Sequence, residues 1–191
     1  MPPNAHPDAI VAAKLARDLD GAFDAFLKAY QERVFRFAMR YCGNPHDGQE
    51  IAQDAFVRAY RALQTYDTAR IRSMALGPWL YRIALNVARN RVRGKRLTLA
   101  PLDEARDYSL ERRYQPDERT SAHETSSELA ALIAQLPARY RAPVVLRYIE
   151  DLPYAEIAEV LDAPIGTVKA NVHRGIALLR KHAMESQGVL V

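Results

Sequence analysis

Apolar side chains recur at intervals of three and four residues in two stretches of the chain, at about 20–96 and 127–184. That spacing lines them up along one side of an α-helix, and no stretch alternates for long enough to indicate a β-strand. Residues 97–126, between the two, contain two prolines and scattered charges without a sustained apolar period, which is typical of a linker. The pattern predicts an all-α fold of two small helical domains joined by an extended linker, with an N-terminal extension at 1–19 and a C-terminal tail at 185–191.

Two amphipathic helices are predicted at the start of the first domain. The first has apolar positions at helical spacing across 23–41, and Gly43 follows at a C-cap position. The second starts at Asn44, which suits the N-cap, with Pro45 at the first helical position and Asp47 at the third. Its predicted buried face consists of Ala52, Ala55, Phe56, Ala59 and Leu63.

The other side of the second helix carries an acidic patch, formed by Asp47, Glu50 and Asp54, in a chain whose formal net charge is +4. Charges one helical turn apart are as typical of a solvated face as of a binding surface. A binding surface of this sign would suit a basic partner. The spacing alone leaves both interpretations open.

The stretch GPWLYRIALNVARNRVRGKR, residues 77–96, contains six positive charges and no acidic residue. On a helical wheel its apolar positions gather on one side. A separate side carries a basic stripe, which consists of Arg82, Asn86, Arg89 and Arg93. Trp79 lies at the border between the two sides, and Tyr81 and Leu85 flank the other edge of the stripe. Arginines beside aromatic rings suit a phosphate backbone with unstacked bases. The alternative is a solvated basic helix with a tryptophan in the core.

The second domain has the format of a helix-turn-helix in PYAEIAEVLDAPIGTVKANVHRGIALLRK. Asp162 lies in the turn, where Asp tolerates a left-handed backbone. The last helix is predicted at about 166–181, and Lys169 could hold a phosphate there. Its predicted inward side consists of Val168, Val172, Ile176 and Leu179. Its predicted outward side, where a recognition helix meets base edges, consists of Thr167, Asn171 and Arg174. A helical hairpin that serves only packing or oligomerisation is the alternative.

Together these segments resemble the extracytoplasmic-function (ECF) sigma factors, the compact two-domain class of bacterial transcription initiation subunits, from about Asp20 to Lys181. DGQEIAQDAFVRAY is similar to the family's helix that docks on a basic site of the largest polymerase subunit. The resemblance implies that this helix contacts core RNA polymerase through Asp47, Glu50, Gln53 and Asp54. It also implies that the linker threads the RNA exit path, and residues 97–126 have seven acidic and four basic side chains, a net charge of −3.

The resemblance also assigns the promoter contacts. PWLYRIALNVARNRVR is similar to the segment that opens and reads the −10 promoter element, and the helix-turn-helix is similar to the domain that grips the −35 element. The implied −10 contacts are Arg82, Asn86, Arg89, Asn90 and Arg93, with Tyr66 as a further candidate. The implied −35 contacts are Thr167, Lys169, Asn171, His173 and Arg174. The implied partners are core RNA polymerase, promoter DNA and an anti-sigma factor, with no cofactor and no small-molecule substrate.

One departure from the family lies in the loop before the basic helix. Leu76 stands in RIRSMALGP, in the loop where family members usually carry an aromatic residue that captures a flipped base. Tyr66, Arg70 and Arg72 are the candidate substitutes.

Other departures lie in the second domain. Ala170 and Asn171 stand where the family commonly has a Ser-Arg pair, so the preferred −35 sequence should differ from the commonest one. Gly175 replaces a better helix former at a cost of about 1 kcal/mol. Pro143 should start its helix late or kink it.

Several function classes are disfavoured. Cys42 is the only cysteine, which excludes an intramolecular disulfide and leaves too few thiols for a zinc site, so no metal is expected. The sequence contains neither a nucleophile paired with a base nor a phosphate-binding loop, so an enzyme is disfavoured. The N terminus does not resemble a secretory signal, and no apolar run approaches about 18 residues, so we expect a cytoplasmic protein without membrane insertion. The remaining alternatives are a stand-alone two-domain helix-turn-helix regulator that binds duplex DNA, and a helical adaptor that binds only protein.

Overall fold

The computed structural model describes residues 7–99 and 129–186. The helices of these ranges, in chain order, are α1 (Pro7–Arg17), α2 (Leu19–Cys42), α3 (Pro45–Leu63), α4 (Thr68–Ser73), α5 (Leu76–Leu99), α6 (129–135), α7 (Ala138–Tyr148), α8 (Tyr154–Leu161) and α9 (Ile165–Ser186). The described ranges contain no β-strand, in agreement with the predicted all-α fold. Most of the predicted linker and of the C-terminal tail lies outside the described residues. We call α1 to α5 the N-terminal unit and α6 to α9 the C-terminal unit.

Helix α1 lies within the predicted N-terminal extension and packs against α2 and α4. Its apolar side is buried, with Leu15 only 1% exposed. At its start, the carboxylate of Asp8 accepts a hydrogen bond from the hydroxyl of Tyr30 in α2 and another, 3.1 Å long, from the backbone amide of Gly77 in α5. Helix α1 therefore docks on the helices that follow it.

Helices α2 and α3 meet at the junction that the capping residues predicted. Gly43 ends α2 with a φ of 81°, a left-handed backbone that glycine adopts without a Cβ penalty. The side chain of Asn44 accepts a hydrogen bond from the backbone amide of Asp47, 2.8 Å away, and so caps α3. The two helices share an aromatic core, in which the rings of Phe26 and Phe56 meet edge to face. The predicted buried face of α3 is confirmed in full: Ala52, Ala55, Phe56, Ala59 and Leu63.

Helix α5 packs against both α2 and α3. Leu80 and Ala84 are fully buried, as the helical wheel predicted. Tyr81 and Leu85 are buried as well, 1% and 0% exposed, although the wheel placed them at the edge of the basic stripe. The buried part of α5 is wider than predicted: the ring of Tyr81 packs edge to face on Phe37 of α2, and its hydroxyl donates a hydrogen bond to Glu150 of the C-terminal unit.

The predicted helix-turn-helix is formed by α8 and α9. Asp162 follows α8 with a φ of 49° and a ψ of 53°, the left-handed conformation expected for the turn. Val168 and Val172 of α9 are buried, as predicted. Helix α7 starts at Ala138 and continues through Pro143, so the predicted late start is wrong. A proline inside a helix removes one backbone hydrogen bond and crowds the carbonyl four residues before it, yet α7 continues through Pro143, which is buried.

Helix α9 crosses α7 at Gly175. A Cβ atom at this position would lie 2.5 Å from Cγ2 of Val144 and 3.3 Å from Cβ of Tyr140. Only glycine allows the two helices to approach so closely. The close packing of α7 on α9 therefore accounts for a glycine at a position where it costs helix propensity.

The two units pack against each other, with α7 on α2 and α8 on α5. Arg141 of α7 is 5% exposed and donates a hydrogen bond of 3.1 Å to the backbone carbonyl of Tyr41 in α2. Its guanidinium carbon lies 5.3 Å from the centroid of the Tyr41 ring, and it also donates to the carbonyl of Leu136 in its own unit at 2.9 Å. The buried side chain of Arg141 therefore stabilises the contact between the two units.

Candidate functional site

The acidic patch of α3 is partly covered by α5. Asp47 is 4% exposed, and its carboxylate accepts hydrogen bonds from the side-chain amide of Asn44 and from Nε of Arg91, the latter 3.1 Å away. Glu50 also pairs with Arg91, and its other oxygen lies 3.7 Å from Nε2 of His46. Asp47 therefore supports the patch from beneath, whereas Glu50 stays partly exposed at its edge.

His46, Asp47 and Glu50 bring possible metal-ligand atoms within 4.8 Å of one another. The guanidinium of Arg91 contacts both carboxylates and supplies the positive charge at this point. A cation would have to displace it, so the geometry fits an ion-pair network better than a metal centre.

The exposed part of the patch continues along α3 through Gln53 and Asp54. Gln53 is exposed, and Asp54 pairs with Arg58 one turn further on, at 2.9 Å. An ion pair exposed in this way contributes less than about 1 kcal/mol and exchanges readily with solvent or with another partner. Both side chains are thus available at the surface.

An open apolar groove of about 1170 Å³ lies between α2 and α3, beside Gln53. Val57 stands in it 48% exposed, a large fraction for a valine. The main apolar lining consists of Phe23, Leu27, Phe35, Phe56 and Val57. Phe23 and Leu27 are among the apolar positions that predicted the first helix, and here they are partly buried and line the open groove. The helices that pack on α2 do not cover the whole of its apolar side. The width of that apolar side was the feature of the sequence that could have indicated a groove.

The basic stripe of α5 faces outward. Its members and the neighbouring asparagine are all exposed: Arg82, Asn86, Arg89, Asn90 and Arg93. Arg93 donates a hydrogen bond of 3.3 Å to the side-chain oxygen of Asn90. Arg82 donates to the backbone carbonyl of Glu159 in α8, so one end of the stripe meets the C-terminal unit.

An aromatic and cationic cluster lies where α4 meets the first turn of α5. The guanidinium carbon of Arg70 lies 3.6 Å from the centroid of the Tyr66 ring, and the centroids of Tyr66 and Trp79 are 6.2 Å apart. Arg72 is exposed on the same short helix. Leu76 is 0% exposed and belongs to the core, so it is not placed to meet a base. Two of the three candidate substitutes for the missing aromatic residue are therefore in contact with each other.

The predicted −35 residues lie along α9. Four of them are exposed and Asn171 is partly buried; the exposed ones are Thr167, Lys169, His173 and Arg174. Beside them lies the ring of Tyr154, with Nζ of Lys169 at 5.7 Å and the guanidinium carbon of Arg147 at 5.4 Å from its centroid. Arg147 and Tyr154 could not be predicted from the sequence, because the cluster is formed by three helices and no local period indicates it.

Buried polar groups lie where the two units meet. The hydroxyl of Tyr81 donates a hydrogen bond of 2.5 Å to the carboxylate of Glu150. Burial raises the pKa of Tyr81 far above its ordinary value, and the negative charge of Glu150 adds to the shift. The hydrogen bond to Glu150 raises the pKa of Arg36. The Tyr81 hydroxyl is therefore held as a donor.

Two family descriptions match the chain, Sigma-70 region 2 over residues 26–98 and Sigma-70, region 4 over residues 126–179. The chain is also similar to the ECF RNA polymerase sigma factor SigW of Bacillus subtilis (strain 168), at 34% identity over 168 residues that cover 84% of this chain and 88% of that relative. The chain belongs to the ECF sigma factors. Region 2 accounts for most of α2 to α5, and region 4 for α6 to α8 with most of α9.

Other comparisons agree with membership in the ECF sigma factors. The ECF RNA polymerase sigma-E factor of Escherichia coli (strain K12) is 30% identical over 175 residues, covering 87% of this chain and 89% of that relative. Among solved structures, CnrH in complex with the cytosolic domain of CnrY aligns with a TM-score of 0.68 at 24% identity, over 92% of this chain and 96% of that chain. The structural likeness supports the fold.

The predicted function is thereby confirmed: this ECF sigma factor is a transcription initiation subunit of RNA polymerase rather than a stand-alone regulator. Sigma factors bind core polymerase and promoter DNA. Among the helices of the described ranges, none is both long enough and apolar enough to cross a membrane.

Proposed function

We propose that this sigma factor docks on core RNA polymerase through the exposed side of α3, with Glu50, Gln53 and Asp54 in contact and Asp47 beneath them. An acidic surface on a chain of net charge +4 would complement the basic docking site that the family resemblance implies. The groove beside Gln53 adds apolar area, and interfaces combine an apolar centre with a polar rim. Arg91 fixes the position of the patch by pairing with Asp47.

The basic stripe of α5 is proposed to hold the single strand of the melted −10 element. Arg82, Arg89 and Arg93 would follow the phosphates, while Asn86 and Asn90 would reach sugars or bases. Unstacking a base costs a few kcal/mol, which capture of the extruded base can offset. The cluster of Tyr66, Arg70 and Trp79 is proposed as the capture platform, because flipped bases stack on aromatic rings and guanidinium planes.

Helix α9 is proposed to enter the major groove at the −35 element. Asn171 and Arg174 would meet base edges near the N-terminal half of the helix, since Asn pairs with adenine and Arg with guanine in two-point contacts. Thr167, Lys169 and His173 would contact phosphates, with Arg147 and Tyr154 supporting Lys169 from α7 and α8.

We further propose that an anti-sigma factor holds the chain inactive by covering the α3 surface and its groove. The groove is large enough to take the apolar side of a partner helix. The chain would work in the cytoplasm, where polymerase and chromosome are found. It would carry out no covalent chemistry of its own.

One observation carries this proposal: the N-terminal unit presents an acidic surface on α3 and a basic surface on α5. Two charge reversals test it in reconstituted transcription. Asp54→Arg should weaken binding to core polymerase about tenfold, a change of about 1.4 kcal/mol. Arg89→Glu should abolish promoter opening in a permanganate assay and leave core binding unchanged. The matched control Arg17→Glu reverses an exposed charge on α1 and should change neither. If both test variants lost both activities together, the two surfaces would not have separate roles.

A further inference from the structure

Helix α1 precedes the region that matches Sigma-70 region 2, yet it is the main packing partner of α4 among the described helices. Helix α4 is only six residues long, and a helix of that length is not stable in water without tertiary contacts. Its buried residue is Ile71, and the apolar side of α1 is buried as well, through Ala12, Leu15 and Ala16. The position of α4 in the fold therefore depends on α1.

The first turn of α1 is also anchored to the first turn of α5. The carboxylate of Asp8 accepts a hydrogen bond of 3.1 Å from the backbone amide of Gly77 and another from the hydroxyl of Tyr30. A Cβ atom at position 77 would lie 3.3 Å from Oδ2 of Asp8, so a larger residue would crowd the carboxylate. Trp79 belongs to the same turn of α5. Asp8 therefore fixes the turn that carries the Trp79 ring.

The capture platform is assembled from parts of both α4 and α5. Arg70 of α4 has its guanidinium carbon 3.6 Å from the centroid of the Tyr66 ring, and the centroid of Trp79 in α5 lies 6.2 Å from that of Tyr66. A base binds most tightly to rings that already have the right spacing, because ordering them on binding would lower the affinity. Since α1 packs against both α4 and α5, it sets the position of one part of the platform relative to the other.

We infer that α1 is a positioning helix for the capture platform, and that Asp8 is its positioning residue. The first part of the inference concerns the free chain and stands on the contacts of α1. The second part, an effect on strand opening, rests on the proposed function of the capture platform. Asp8 itself touches neither DNA nor polymerase in this role, and acts through Gly77 and the helices that α1 contacts.

The fluorescence of Trp79 tests the first part without DNA or polymerase, because it is the only tryptophan of the chain. Asp8→Ala should increase the quenching of Trp79 by acrylamide, since the first turn of α5 loses its anchor. Tyr30→Phe removes the other hydrogen bond to Asp8 and should increase the quenching to a smaller extent. Unchanged quenching in both variants, with circular dichroism showing that they are folded, would overturn the positioning role of α1.

Two control variants make the fluorescence test specific. Asp8→Asn keeps an oxygen that can accept from the Gly77 amide, so its quenching should remain close to that of the wild-type chain. Asp24→Ala removes the same charge from an exposed position on α2 and should leave the quenching unchanged. An increase in Asp24→Ala equal to that in Asp8→Ala would assign the effect to charge and overturn the role of Asp8.

Promoter opening by the holoenzyme tests the second part. Asp8→Ala should reduce permanganate reactivity at the −10 element by up to about tenfold, the loss expected when one base no longer stacks, and should leave core binding unchanged. In a chain that already carries Tyr66→Ala, the same change should cause little further loss, because both variants act through one platform. Losses that multiply in the double variant would overturn an action of α1 through the platform.

The outcomes distinguish this inference from the proposed function on which its second part rests. If Asp8→Ala increased the quenching of Trp79 but kept full opening, while Tyr66→Ala impaired opening, the role of α1 in strand opening would be overturned. If Tyr66→Ala opened promoters as the wild-type chain does, the proposed capture platform would fail and the second part with it. The fluorescence of Trp79 would still decide whether α1 positions these side chains.

Discussion

The carboxylate of Asp8 accepts a hydrogen bond of 3.1 Å from the backbone amide of Gly77, 69 residues further along the chain. Gly77 lies in the first turn of α5, where the backbone amides have no partner within the helix. An acidic side chain at a helix N-terminus also interacts favourably with the helix dipole. The N-terminal helix therefore caps the helix that carries the basic stripe.

Replacement of this cap should destabilise the N-terminal unit. We expect Asp8→Ala to lower the free energy of unfolding by about 1–2 kcal/mol, because Gly77 loses its acceptor and the hydroxyl of Tyr30 loses its own. Urea unfolding followed by circular dichroism measures the change. Asp24→Ala removes an exposed acid of α2 that pairs only at the surface with Lys28, and it should cost less than about 0.5 kcal/mol. Equal losses in both variants would contradict the capping role.

Gly175 should tolerate no side chain, although helix propensity alone favours alanine there. A methyl group would meet Val144 at 2.5 Å, so Gly175→Ala should lower the unfolding free energy by about 1–3 kcal/mol. Gly166→Ala is the matched control on the same helix, because nothing lies within 4 Å of the added Cβ, and it should raise stability by up to about 1 kcal/mol. Thermal unfolding of the two variants measures the expected loss of stability in the first and the expected gain in the second. A gain in both would show that α7 and α9 are not closely packed.

Local signals predicted the junction between α2 and α3 and the turn between α8 and α9. The capping roles of Gly43 and Asn44 and the left-handed backbone of Asp162 depend on neighbouring residues within one turn, so the sequence contains all that determines them. The exposed stripe of α5 followed in the same way from a period of 3.6 residues. The need for Gly175 depends instead on how α7 crosses α9, which no local period encodes.

Contacts between the two units could not be predicted from the sequence. Glu150 lies 114 residues from Arg36 and 69 from Tyr81, and an isolated glutamate after a helix gives no indication of burial. The same applies to Asp47, whose acidic character indicated a surface position. Its partner Arg91 lies 44 residues away, and that pairing draws the carboxylate into the interior.

The raised pKa of Tyr81 predicts a loss of stability in alkali. An unfolded chain ionises tyrosine near its ordinary pKa of about 10, and below that pH the hydroxyl is protonated in both states. Above it the unfolded chain releases a proton that the folded chain retains, so stability falls by about 1.4 kcal/mol per pH unit for each such group. Tyr30 and Tyr41 also have raised pKa values because of burial, so several groups share the effect.

Unfolding midpoints measured from about pH 8 to about pH 11.5, below and above the ordinary pKa of tyrosine, should separate the contribution of Tyr81 to stability. Tyr81→Phe should lose stability less steeply above about pH 10 than the wild-type chain does. Tyr148→Phe, at a ring that is 59% exposed, is the matched control and should keep the wild-type slope. Identical slopes in all three proteins would mean that Tyr81 is not held as a donor.

The contact between Tyr66 and Arg70 predicts a defect confined to strand opening. Tyr66→Ala removes the ring on which Arg70 lies at 3.6 Å and should reduce open-complex formation about tenfold or more, since stacking of one base contributes about 1–3 kcal/mol. Tyr66→Phe keeps the ring and should retain most of the activity. Permanganate reactivity of promoter thymines measures opening, and native gels measure core binding, which should not change. A defect in core binding of the same size would assign Tyr66 to the fold of the unit.

Asp47 and Asp54 lie two turns apart on α3, yet their different burial predicts opposite phenotypes. Asp47→Ala leaves Arg91 without its buried partner and Asn44 without an acceptor, so the unfolding free energy should fall by about 1–3 kcal/mol. Asp54→Ala loses only a surface pair with Arg58 and should keep its stability, but it should bind core polymerase more weakly. Urea unfolding and a titration of labelled core polymerase separate the two effects. If Asp47→Ala kept full stability and lost core affinity instead, its carboxylate would be a direct contact in the complex, and α5 would have to move away from α3 for polymerase to reach it.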